Sequence, residues 1–280
     1  KLDAALARFE ELRPDPLRIP PNAVTPTWDR WWSAVAANDR DAIRSMYAPT
    51  YRFDDRRRLF RMSTDLDQTL TGDLLFAEDG WKPVRTLLAT AGDRLALQHI
   101  LWITGDAGAT SEVEILMVSE VDREGRFVHG AAFDPDDRAG ACRELNHRYL
   151  GITRPSALAR LEALRAAGRD LARLRAAFPD DFFFHDHRRT GLGRLDGAEA
   201  YAASVGALHE LAPDATVGQP LHYLADEPHG TLSIAHSFGT LADGGAFESV
   251  YVMIQLYGPD GLAGVELFEL DDLAAAKARF

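Results

Sequence analysis

The 280 residues contain a single cysteine, Cys142, which cannot close an intramolecular disulfide and cannot alone furnish a thiolate zinc cage. A reducing, cytoplasmic setting is therefore expected, with stability left to burial. Positive charge is also scarce. Lys plus Arg number 31 against 43 Asp plus Glu, and the resulting net charge of −12 repels phosphate backbones and anionic lipid. No nucleic-acid or membrane partner is expected. No apolar run approaches the roughly 20 residues that cross a bilayer, and no charged-then-apolar start reads as a signal peptide. Gly-Lys-Ser, Gly-Lys-Thr and Gly-x-Ser-x-Gly are all missing, and "GLG" at 191–193 has neither the third glycine nor the strand-to-helix context of a dinucleotide loop. Nothing here calls for a cofactor. What remains, 46% hydrophobic and 26% charged, is ordinary for a globular chain, and the length predicts two domains.

Those two domains are one pattern written twice. "MYAPTYRFDDRRR" (46–58) lies over "AAFPDDFFFHDHRR" (176–189) at an offset of 131, pairing Tyr51 with Phe182, Phe53 with Phe184, Asp55 with Asp186 and Arg57 with Arg188. "LALQHIL" (95–101) lies over "LSIAHSF" (232–238) at an offset of 137, superposing His99 on His236. "EVEILMVSEVDREGRFVHGAAFDPDD" (112–137) follows the scheme of "ESVYVMIQLYGPDGLAGVELFELDD" (248–272). Short loop insertions between equivalent strands account for the drift in offset.

Periodicity fills in each copy. Trp28, Trp31, Trp32 and Val35 recur at i, i+3, i+4 and i+7, the stripe of a packed helix. A short helix at 39–47, a strand at 51–56 and strands at 84–91, 94–104, 111–122 and 126–133 follow, separated by "AGD", "GDAGA" and "DREG". The second copy reads as helices near 155–178 and 196–210 and strands near 181–187, 216–225, 230–240, 246–257 and 262–269. Each copy closes on a helix opened by acidic residues, "DPDD" or "DD". The fold class is α+β: two tandem domains, 26–150 and 151–280, each with N-terminal helices packed on an antiparallel sheet. Residues 1–25 differ. Leu2, Leu6 and Phe9 make an apolar helical stripe, and Pro14, Pro16, Pro20, Pro21 and Pro26 stop its continuation. With a start at Lys1, this reads as a helix and linker from an upstream domain of the same polypeptide.

The aromatic-x-Asp strand in "YAPTYRFDD" and "FPDDFFFHD", "LDGAEAY" at 195–201 and the closing "DREGRFVHGAAFD" resemble the SnoaL-like branch of the nuclear-transport-factor-2-like superfamily. The resemblance covers each copy nearly whole, although the first copy has no clear match for "LDGAEAY". It implies a cone-like fold whose curved sheet wraps a pocket against its helices. It also implies a place for Asp55 and Asp186, since ketosteroid isomerase, of the same fold, carries its general base on the corresponding strand. Tandem modules with an "ARFEEL" helix ahead and "DRR" or "DHRR" inside further resemble the C-terminal parts of large actinobacterial regulators bearing nucleotide-binding or cyclase domains.

Strand alternation puts Asp55 with Tyr51 and Phe53, and Asp186 with Phe182 and Phe184. An unpaired carboxylate on such a face, its pKa raised by desolvation, is suited to proton abstraction beside a carbonyl. Arg57 and Arg188, two residues on and on the same face, supply the plainer alternative of an ion pair that holds the strand end. His99 and His236 share faces with Leu95, Leu97, Leu101 and Ile103 and with Leu232, Ile234 and Phe238. They are expected to line an apolar interior, reached from the next strand by Glu112 and Glu248. "HDH" at 185–187 puts two imidazoles on the opposite face, toward solvent, with no third ligand evident, so no metal is expected. Cys142 falls in the helix after the first sheet, buried against it. Neither copy shows a partner acid or tyrosine for steroid-type chemistry.

The function expected is a non-catalytic small-molecule-binding or assembly module, an intrachain pseudo-dimer and possible homodimer within a larger regulatory protein. Its ligand would be small and apolar or of mixed polarity. The alternative is a cofactor-free SnoaL-type isomerase, aldol cyclase or hydrolase with Asp55 or Asp186 as base. A spacer with both interiors filled by side chains is a third possibility.

Overall fold

The computed structural model describes residues 16–78, 80–106, 109–167, 170–259 and 261–280. The stripe of Leu2, Leu6 and Phe9 lies outside these residues. Half 1 runs α1 (Val24–Ala36), α2 (Arg40–Ser45), β1 (Tyr47–Asp55), β2 (Met62–Asp65), α3 (Leu66–Glu78), β3 (Lys82–Ala91), β4 (Leu95–Asp106), β5 (Ala109–Val121), β6 (Phe127–Phe133) and α4 (Arg138–Thr153). Half 2 runs α5 (Pro155–Ala167), α6 (Leu171–Ala176), β7 (Phe183–Asp186), β8 (Gly193–Asp196), α7 (Ala198–Leu211), β9 (Thr216–Glu227), β10 (Gly230–Thr240), β11 (Ala246–Gly258), β12 (Gly261–Phe268) and α8 (Leu273–Arg279). The two six-stranded sheets have one order, β2-β1-β6-β5-β4-β3 and β8-β7-β12-β11-β10-β9. Four strands of each form an antiparallel meander, and the Asp-bearing strand joins it in parallel. The class is α+β, as the alternation of periods indicates.

Local chemistry explains the boundaries. Pro26 is tolerated because it sits in the first turn of α1, where a backbone N–H has no helical acceptor to lose. Asp39, Asp137 and Asp170 cap α2, α4 and α6, each accepting a backbone N–H three residues ahead. The helix α3 is absent from the sequence reading. Its signal is a capping box, in which the Gln68 N–H donates to Asp65 and the Asp65 N–H donates to the Gln68 side chain.

Each sheet is buried on both faces, which governs where the polar groups go. The inner face of sheet 1 packs Ile100, Trp102, Ile115 and Met117 against Trp28, Trp31, Val35 and Leu70 of α1 and α3. Its outer face packs Leu95, Leu97, Leu116 and Val118 against Cys142, Leu145 and Tyr149 of α4, with Tyr223 and Phe238 of half 2 at the edge. In half 2, Phe182, Phe184, Tyr251 and Met253 make the inner face and Leu232, Ile234, Val252 and Phe268 the outer one, covered by Ala276 of α8.

The halves meet along the outer faces. Asn146 donates to Gln219 at 2.7 Å in buried surroundings, Tyr149 donates to Asp226 and lies 4.6 Å from Tyr223, and Arg154 reaches the Glu227 carbonyl at 2.6 Å. Burial pushes the Cys142 thiol in this seam up to about 11, so it stays protonated. No described helix is long and apolar enough to cross a membrane.

Candidate functional site

The parallel strand of each half delivers its aspartate to the inner face, next to the aromatic residues. Asp55 accepts from Arg57 Nε at 2.9 Å and Nη2 at 2.5 Å, and from the Arg57 backbone N–H at 3.1 Å. Asp186 repeats this with Arg188 at 2.8 and 2.8 Å and the backbone N–H at 3.2 Å. Both carboxylates are buried and both guanidiniums are about one-fifth exposed, at 19% and 22%. Arg57 lies over Phe60 and Arg188 over Tyr251, so the cations are clamped as well as paired. A Cβ at Gly191 would collide with the Asp186 carboxyl group, which explains glycine in this turn. Burial alone would raise Asp186, but Arg188 and the N–H groups of Arg188 and Leu192 outweigh it and hold the carboxyl below its ordinary value. The pair geometry is that of the plainer alternative.

The histidines lie elsewhere. His99 and His236 occupy the outer sheet faces, with Leu97 and Ile234, rather than the interior with the aspartates. His99 meets Glu114 at 2.6 Å, while Glu112 is exposed opposite Ile103. His236, 1% exposed, contacts Glu248 at 3.0 Å and Arg138 of α4 at 3.1 Å, and Arg138 also donates to Glu248 at 2.8 Å. His236 and Glu248 thus belong to the seam between halves. Burial holds the His236 imidazole below its ordinary value, with Arg138 adding to the effect and Glu248 opposing it.

The superposition of His99 on His236 also requires correction. Stepping across the ladders from the matched aspartates gives Ala132 with Leu267, Met117 with Met253 and Gln98 with Ser233, so that His99 corresponds to Ile234. A slip of two residues preserves the face, and alternation cannot detect it. The true matches, Gln98 and Ser233, are both buried on the inner faces, and neither Gln98 Oε1 nor Ser233 Oγ has a hydrogen-bond partner among the described residues.

Half 1 also holds a constellation absent from the sequence reading. Asp73 of α3 accepts from Tyr47 Oη at 2.6 Å and Trp31 Nε1 at 3.3 Å, with Tyr51 packed on Tyr47 at 4.6 Å. Burial pushes the Asp73 carboxyl up to about 6 although both hydrogen bonds pull it down. Burial and the Asp73 charge push Tyr47 and Tyr51 above the ordinary phenol range. Trp31 touches Trp102, and Trp102 touches Trp32, at 6.2 and 6.0 Å between ring centres. Trp32 in turn walls a cleft of about 250 Å³ with Val35, Asn38, Glu78, Trp81 and Lys82. A polar terminus, a tier of rings and an opening thus follow one another along the end of α1. An acid and a tyrosine thus meet in half 1. Asp73 is missing from the sequence reading because α3 itself was not read.

On the outer face of half 2, His185 and His187 stand side by side, and Glu266 of β12 lies opposite His185 in the ladder. Strand pairing thus brings a carboxylate beside the two imidazoles, a neighbour that the sequence does not reveal.

No protein-family model matches the chain, and no curated protein matches it. Solved structures do. Rv0760c from Mycobacterium tuberculosis is 13% identical and matches 42% of this chain with 96% of its own, at a TM-score of 0.35. The Δ5-3-ketosteroid isomerase from a Mycobacterium species is 10% identical over 42% of this chain and 96% of its own, with TM-score 0.35. The BvnE pinacolase from Penicillium brevicompactum is 16% identical over 47% and 96%, with TM-score 0.34. Each is the size of one half.

Proposed function

We propose that the chain is a non-catalytic small-molecule-binding or assembly module, two copies of one fold joined as an intrachain pair and serving a larger regulatory polypeptide. The observation that carries this reading is the state of Asp55 and Asp186. Each is already bonded to a guanidinium at two points in a buried ion pair, so taking a proton from a substrate would have to break that pair. Half 1 offers instead a ring-lined cleft of about 250 Å³, suited to a small and largely apolar ligand, with the Trp31, Trp32 and Trp102 tier leading to Asp73.

All five tryptophans, Trp28, Trp31, Trp32, Trp81 and Trp102, belong to half 1, so their fluorescence reports that half alone. Titration with small aromatic alcohols and ketones should give a saturable fluorescence change, weakened at least about tenfold in Trp32→Ala. A broad library in which no member moves either the fluorescence or the thermal midpoint would end the proposal.

One observation favours a second reading. An Asp73 carboxyl at about 6, bonded to Tyr47, has the poise of a working acid-base group. On this reading the chain is a cofactor-free SnoaL-type isomerase, aldol cyclase or hydrolase that uses Asp73 in place of Asp55 or Asp186. Turnover that survives Asp55→Asn and Asp186→Asn but falls roughly 100-fold in Asp73→Asn would select it.

A further inference from the structure

The geometry points to a divalent transition-metal site on the outer face of half 2, formed by His185, His187 and Glu266. His185 lies on β7 and His187 one residue past it, and this i, i+2 spacing puts both imidazoles on one side, with Glu266 of β12 beside them through the parallel ladder. One donor atom from each residue lies within 4.8 Å of the other two, and the His ring centres are 3.7 Å apart. Metal–ligand bonds of about 2.0–2.2 Å place donors about 3.3–3.5 Å apart, so a movement of about 1 Å in the half-exposed rings closes the set.

The surroundings favour a metal over a mere surface cluster. Glu266 is 1% exposed, and its carboxylate is aimed by Arg279, which donates to Oε1 at 2.9 Å and leaves Oε2 facing His187 Nε2 at 2.8 Å. That is the outer support a ligating carboxylate needs. Phe268 stacks on the His187 ring at 4.2 Å and fixes its plane. The His185 ring makes no hydrogen bond to any described residue, and so nothing has to be broken for it to coordinate. Coordination by His187 Nε2 requires its proton to sit on Nδ1, on the side open to water. Two nitrogens and one oxygen suit Zn²⁺, Co²⁺ or Ni²⁺ better than Mg²⁺ or Ca²⁺, with water completing the sphere. Half 1 cannot form the site, because Asp54, Arg56 and Ala131 stand at the matching positions.

Calorimetric titration of the 280-residue chain with ZnCl₂ alone should show one ion per chain, with a dissociation constant of about 10 µM or tighter. His185→Ala and His187→Ala should each weaken binding at least about tenfold. His147→Ala, which alters a histidine paired with Glu162 elsewhere, should leave it unchanged. Co²⁺ loading should give the visible absorption of a nitrogen-ligated ion, lost in His185→Ala. His187→Ala removes a stacked ring and so carries a folding risk, which makes His185→Ala the deciding variant. Wild-type affinity weaker than about 100 µM, or a His185→Ala chain that binds as well as wild type, overturns the site.

Discussion

The halves share strand order and the Asp–Arg pair of the inner face, yet their outer faces have little in common. In half 1 the outer face carries an ion network: Arg56 on Glu144 at 2.7 Å, Arg148 on Glu144 and Glu120 at 2.7 and 2.8 Å, and His129 3.6 Å from Glu144. Burial would raise Glu144, but His129, Arg56 and Arg148 bring it down to about 2. In half 2 the corresponding face carries His185, His187, Glu266 and Arg279. The coverings differ as well. Sixteen residues of α4, together with half 2 itself, cover sheet 1, whereas the seven residues of α8 lie on sheet 2. What the two copies retain is the feature that holds the Asp-bearing strand to its own loop. What they changed is the set of charged and titratable groups on the outer face. On the proposed reading the aspartates are strand anchors and function is sought in the differences.

The strongest way to break the comparison is to open the retained pairs. Asp55→Asn and Asp186→Asn each leave a buried guanidinium uncompensated and should cost about 3–5 kcal/mol of unfolding free energy, to a similar extent in both halves. Urea denaturation read by circular dichroism measures both variants, and tryptophan fluorescence isolates half 1. A mild effect in one half and a severe one in the other would show that the pairs are not equivalent.

How much of this was legible beforehand depends on which face a residue occupies. The duplication, the meander, the acidic caps and the Asp–Arg spacing are all local patterns, and strand alternation placed Asp55 and Asp186 on the aromatic face. Alternation failed for His99 and His236 because β4 and β10 are apolar on both sides. A period of two then cannot say which side is the interior. Glu266 escaped notice for another reason. It lies 79 residues from His187 in sequence and is brought there only by the parallel pairing of β7 with β12. Asp73 was missed with its helix, whose weak apolar stripe hides behind a capping box.

Asp73 sharpens the comparison with a smaller effect. Its carboxyl stands at about 6 when folded against an ordinary 3.8, so the folded state holds the proton more tightly than the unfolded chain. Half 1 therefore loses stability as pH rises from about 4 through about 6. Two units at about 1.36 kcal/mol each give a loss of about 2–3 kcal/mol. Asp73→Asn should be more stable than wild type at pH 7.5 by up to that amount, and the gap should narrow toward pH 4.5. Fluorescence-detected urea denaturation at the two pH values checks it, and a gap that widens on acidification would contradict the assignment.

The most direct test of the central claim is a carboxyl ¹³C NMR titration of Asp186. A guanidinium-locked carboxylate predicts a titration midpoint below the ordinary aspartate value of about 3.9, with no further step up to neutral pH. A midpoint at or above about 6 would mean an aspartate poised for proton transfer, and it would contradict the account of both halves as binding modules.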